Sequence, residues 1–132
     1  MGKKIAAYCR VASYDEDAME SQMEKLRHFA EEQGIGGVTF YVDNGYSGLN
    51  LNRPALERLD ADMQGGKISA VIVLDVARIA RNIFLADDWI GKVRALDVKL
   101  VFVNQPDNPV QASIRQSLAA SWRDDKKRAE NF

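Results

Sequence analysis

Four arginines, Arg10, Arg53, Arg78 and Arg81, are the residues of this chain best suited to chemistry, and Asp43 and Asp75 lie close to them in sequence. A guanidinium keeps its charge at every working pH, and its planar fork matches the oxygens of a phosphate. Like charges held in one crevice repel one another unless an anion sits among them. An arginine cluster therefore suits phosphoryl transfer, where charge spreads over equatorial oxygens in the transition state. The spacing Arg78-Ile79-Ala80-Arg81 predicts both side chains on one side of a helical turn. The competing reading is purely structural, with the arginines paired one by one to Asp43, Asp75, Asp87 or Asp88.

These residues can act together only if the fold gathers them. Residues 4–11 read as a strand buried on both faces. Met19, Met23, Leu26, Phe29 and Ala30 recur at helical spacing over 17–33, with Gly34 placed to end that helix. A second strand over 38–42 runs into the turn-rich loop 43–48. Pro54 opens a helix that Gly65-Gly66 closes. The run 70–74 is a third strand, followed by a helix with Ile83, Leu85, Trp89, Ile90 and Val93 on its buried face. A fourth strand over 98–103 precedes a loop at 105–109 and a last helix over 111–129. Strands alternating with helices predict an α/β fold in three layers, with a mainly parallel sheet of about four strands in flavodoxin-like order, plus a C-terminal helix. In such folds chemistry gathers beyond the carboxyl ends of the strands. Those ends carry Arg10, Asp43, and Asp75 with Arg78 and Arg81, and the loop after the second strand delivers Arg53.

Composition narrows the function classes. The chain has 132 residues, 46% apolar and 28% charged, enough for one core without disulfides or metal. No apolar run approaches the roughly 18 residues of a membrane span. One cysteine, Cys9, and no leader-like start point to a reducing cytoplasm. One cysteine and one histidine, His28, exclude a zinc ligand set. Eighteen basic residues against nineteen acidic ones give a net charge of −1, so this domain is not expected to hold DNA tightly alone. Gly45 and Gly48 lie in no nucleotide-binding glycine pattern. Cys9 reads as a buried, inert thiol, His28 as a surface residue, and Trp89 and Trp122 as packing anchors.

Taken in order along these elements, the motifs resemble one family. Tyr8-Cys9-Arg10-Val11-Ala12 is similar to the Tyr-x-Arg-Val-Ser signature of serine site-specific recombinases, the resolvase and invertase family. Ser21-Gln22 falls where that family carries a Ser-and-Gln element on its first helix. Asp43-Asn44-Gly45-Tyr46-Ser47-Gly48 with Asn52-Arg53-Pro54 looks like its Asp-x-Gly-x-Ser-Gly…Arg-Pro segment, and Asp75 to Asn82 resembles its Asp-x-x-Arg-x-x-Arg block. The resemblance spans roughly residues 4 to 104. It implies a resolvase-like catalytic domain over 1–108, an oligomerisation helix over 109–132, and a DNA-binding domain that this chain is expected to lack.

The same resemblance implies a mechanism. A serine hydroxyl attacks a DNA phosphodiester, leaving a 5′-phosphoseryl link and a free 3′-hydroxyl, with no metal and no cofactor. Strand exchange then proceeds within a dimer or tetramer. Arg10, Arg53, Arg78 and Arg81 would grip the phosphate. Asp75 would orient an arginine or assist proton transfer, and Gln22, Asp43 and Ser47 would support the site. The usual nucleophile position is Ala12, and a methyl group cannot attack phosphorus. Three readings follow: Ser13 takes the role, the site is inactive with its arginines kept, or Ser13 merely caps the next helix or turn. The last helix also departs from the family pattern, with Trp122 in place of its aromatic. Two rival functions stand beside the recombinase. One is a non-catalytic module that oligomerises on DNA, the other a flavodoxin-like domain binding a small phosphorylated ligand.

Overall fold

Six consecutive residues of strand β1 (Lys4–Val11), from Ile5 through Arg10, are buried. A strand is buried on both sides only when layers cover it above and below. Alternation then sorts its side chains. Ala6 and Tyr8 enter one core with Leu56, Leu59 and Trp89, while Ile5, Ala7 and Cys9 enter another with Met19, Leu26 and Phe29. The computed structural model describes residues 2–104, and the loop, last helix and Trp122 expected beyond them lie outside that range.

After β1 come helix α1 (Glu16–Glu32), strand β2 (Thr39–Asn44), helix α2 (Pro54–Gln64), strand β3 (Ile68–Val73), a 3₁₀ turn (Val76–Arg78), helix α3 (Ile83–Ala95) and strand β4 (Lys99–Phe102). The strands form one parallel sheet in the order β2-β1-β3-β4. That is the flavodoxin-like order expected. Helix α1 covers the face holding Cys9, and α2 and α3 cover the face holding Tyr8. Caps set the helix limits. The Asp15 carboxylate accepts from the Ala18 amide at 3.0 Å, and the Asn82 side chain accepts from Phe84 at 2.8 Å. Gly34, at φ +73, ends α1 as its position predicted. No helix among the described residues is long and apolar enough to cross a membrane.

Two boundaries differ in a way that matters for the site. The expected loop 43–48 begins later, because Asp43 and Asn44 continue β2 and pair in register with Arg10 and Val11. Parallel pairing with the end of β1 thus overrides the turn preference of Asp-Asn. The segment after β3 is a short 3₁₀ turn rather than a regular helical turn, so Arg78 and Arg81 sit in different settings, one half-buried and one exposed.

Burial pushes the Cys9 thiol from 9.0 up to about 12, against the opposing pull of Arg78. The folded state therefore holds this proton more tightly than the unfolded chain does. Its contribution to stability is complete below pH 9.0 and is lost as pH climbs toward about 12. Urea unfolding is expected to show stability falling by up to ~1.4 kcal/mol per pH unit between pH 9.0 and about 12. Cys9→Ala should flatten the slope between pH 9 and 10, and an unchanged slope would remove the thiol from the account.

Candidate functional site

Strand β1 carries Arg10 to the carboxyl edge of the sheet on the same face as Tyr8. Gln22 of α1 locks this point of the backbone from below. Its Oε1 accepts from the Arg10 amide at 2.9 Å and its Nε2 donates to the Arg10 carbonyl at 3.1 Å. The Arg10 guanidinium, only 2% exposed, then spends its donors on backbone. Nε donates to the Arg78 carbonyl at 3.0 Å, Nη1 to that of Tyr46 at 3.0 Å and Nη2 to that of Ala77 at 2.6 Å. Burial, and then the charges of Arg53, Arg78 and Arg81, lower its pKa from the ordinary value.

Arg53, the residue before Pro54, is 1% exposed and points into the same space. Nη1 donates to the Tyr8 hydroxyl and to the Arg78 carbonyl, each at 2.9 Å; Nε donates to Asn50 at 3.1 Å, and Nη2 to the Ile79 carbonyl. Tyr8 passes the link on by donating to Asp43 Oδ2 at 2.7 Å. Burial, and then that hydrogen bond, push the tyrosine pKa upward. Asp43 in turn accepts from the amides of Ala55 at 2.9 Å and Leu56 at 3.1 Å. Arg53 stands at the N-cap of α2 with no capping bond of its own side chain, so a carboxylate from β2 does the capping.

The rest of the set is more open. Arg78 Nε lies 3.6 Å from Asp75 Oδ1, beyond a hydrogen bond, and both atoms are buried without a hydrogen-bond partner. Arg78 Nη1 reaches the Arg10 carbonyl at 3.4 Å. Arg81 is exposed, and its amide donates to the Gly48 carbonyl at 3.1 Å. Ser47 Oγ accepts from Leu49 at 3.0 Å, which shapes the loop that brings Gly48 against the arginines. Ala12 and Ser13 follow β1 and are exposed. Because Asp15 caps α1, the reading of Ser13 as that helix's cap does not hold.

The structure thus gathers Arg10, Arg53 and Arg78 around one turn of backbone, with Arg81 beside them. It does not bear out one-to-one pairing with aspartates: of the four named, only Asp75 lies within ion-pair range of these arginines. Nor does the cluster require a bound anion to exist, since the carbonyls of residues 46, 50, 77, 78 and 79 face the two buried guanidinium groups. Gln22 and Ser47 act on backbone, and Asp43 acts on backbone and on the Tyr8 hydroxyl. Tyr8 was missed as a working residue. A hydroxyl-bearing aromatic in a strand read as buried on both faces was the available signal, since a buried hydroxyl needs a partner. Chemically, the arrangement presents Arg81 and the half-buried Arg78 to a solvent-side anion, above a rigid cationic floor.

Comparison with known proteins bears on the family and the fold. The family described as "Resolvase, N terminal domain" matches residues 5–124. A Bacillus subtilis (strain 168) protein named "Putative DNA recombinase" is 36% identical over 107 residues, which are 76% of this chain and 20% of that protein. The chain therefore spans about one fifth of that relative's length. Among solved structures, a serine recombinase from Sulfolobus solfataricus is 26% identical with a TM-score of 0.67, over 84% of this chain and 75% of that one. The N-terminal catalytic domain of TP901-1 integrase shares the fold with a TM-score of 0.75 at 22% identity, covering 97% and 99% of the two chains.

Proposed function

Because this chain belongs to the resolvase N-terminal domain family, we propose that it catalyses site-specific DNA recombination by serine recombinase chemistry. The observation that carries the reading is the meeting of arginines from three separate segments at the carboxyl edge of β1 and β3, with the exposed Ser13 following Arg10 in the chain past the end of β1. In this reading the Ser13 hydroxyl attacks the scissile phosphorus and gives up its proton. The P–O3′ bond breaks, and the departing oxygen takes a proton to become the 3′-hydroxyl. The DNA 5′ end stays on Ser13 as a phosphodiester, so bond energy is kept for religation without a cofactor. Arg81 and Arg78 make the first contacts with the phosphate oxygens. Arg10 and Arg53 hold the 77–79 turn behind them and lend charge, Asp75 orients Arg78, and Gln22, Asp43 and Ser47 keep the frame. The domain works as a dimer or tetramer in the cytoplasm, and a separate module supplies most of the affinity for DNA, because a net charge of −1 neutralises few phosphates.

The test is a nicked suicide duplex, incubated with the chain fused to a DNA-binding module that recognises it. A covalent protein–DNA adduct is expected. Arg78→Ala should slow its formation roughly 10²–10³-fold, as for loss of one charged donor to a transition state. Arg78 is half-buried and makes few bonds, so the thermal midpoint should hardly move. An undiminished rate in Arg78→Ala would contradict this site.

A further inference from the structure

Gly48 is buried against two of the arginines. A Cβ added there would lie 2.7 Å from Arg10 Nη2, 3.1 Å from Arg10 Cζ and 3.2 Å from Arg81 Cγ. Backbone conformation does not explain the glycine. Gly34, Gly45 and Gly66 occupy the left-handed region and Gly48 does not, so an alanine could take its dihedral angles without strain. What the position demands is empty space. The end of an arginine side chain ordinarily swings away from a new methyl at little cost, but Arg10 cannot. Its guanidinium is buried and tied to Arg78, Tyr46 and Ala77, and the Gly48 carbonyl itself receives the Arg81 amide.

We infer that Gly48 is a positioning residue: its missing side chain is the slot that lets Arg10 and Arg81 close on one another from two different segments. Any side chain there drives the Arg10 guanidinium off the Ala77 and Tyr46 carbonyls and tilts Arg81 away from the crevice. The consequence for catalysis rests on the recombinase reading above, but the geometric role does not.

The decisive measurement is therefore made without DNA. In the 132-residue chain, the Arg10 Nε–H resonance is followed by NMR for shift and hydrogen exchange, with Arg53 Nε–H as the internal reference. Gly48→Ala should shift the Arg10 signal and hasten its exchange by at least tenfold. Gly45→Ala, whose added methyl has Tyr14 atoms at 3.4–3.6 Å as its nearest neighbours, should leave it in place although its backbone is strained. An Arg10 signal unmoved in Gly48→Ala overturns the inference. Where Gly48→Ala unfolds the chain, the same substitution is compared in an Arg10→Leu background by thermal melting. A loss of midpoint that largely disappears there supports the clash, and one that persists in full overturns it. In the suicide-duplex assay Gly48→Ala should react about 10²-fold more slowly at saturating DNA, with half-saturation unchanged. Failure of the unaltered chain to react would sink the recombinase reading, while the NMR result would still decide the role of Gly48.

Discussion

Arg53→Ala is expected to lower folding stability by about 3–5 kcal/mol, a large share of the whole for a domain of this size. The side chain is 1% exposed, and its removal leaves the Ile79 and Asn50 carbonyls and the Tyr8 hydroxyl each without a donor. The Ile79 carbonyl and the Tyr8 hydroxyl are buried, and each abandoned buried acceptor costs about 1–3 kcal/mol. The loss spreads further, because Tyr8 then faces Asp43 alone and the anchor of α2 loosens. Arg53→Lys should rescue little, since an ammonium cannot span acceptors on Asn50, Arg78, Ile79 and Tyr8 with one planar fork. Urea denaturation measures this directly, and a change below about 1 kcal/mol would show that water replaces the fork at small cost.

The other large effect concerns the nucleophile. Ser13→Ala should abolish the covalent adduct on the suicide duplex, because no group then forms the phosphodiester with DNA. Ala12→Ser tests the alternative that the site keeps its arginines but has lost its hydroxyl. Both residues are exposed in the segment between the end of β1 and the Asp15 cap, where backbone no longer alternates as a strand and either position can turn toward the arginines. Adduct from the unaltered chain that vanishes in Ser13→Ala assigns the role to Ser13. Adduct that appears only with Ala12→Ser assigns it to position 12 and makes the natural chain a non-cutting relative. Mass spectrometry of the trapped peptide identifies the modified residue in either case.

The sheet was legible because aliphatic runs such as Ala70 to Leu74 have few other homes, and the helices because apolar residues recur on one face and, in α1 and α2, stop at glycine. The convergence of Arg10, Arg53 and Arg78 followed from topology, since the carboxyl ends of parallel strands share an edge. What the arginines would bind there was not legible. Residue types announce charge, but backbone carbonyls belong to every residue and leave no mark in a sequence, so the acceptors at 77, 78 and 79 could not be foreseen. The same holds for Asp43. Its place at a strand end was readable, but its role as a cap for α2 depends on a crossing angle that only the folded chain sets.

The Arg78 carbonyl accepts from both Arg10 Nε and Arg53 Nη1, one bond for each of its two lone pairs. A single peptide plane is thus the hinge on which two distant parts of the chain are hung. Whatever rotates that plane moves both guanidinium groups at once, so the two respond as one body and their substitutions should not add. A ligand that pulls on Arg78 from the open side would be felt at Gln22 through Arg10, and at the first turn of α2 through Arg53, Tyr8 and Asp43.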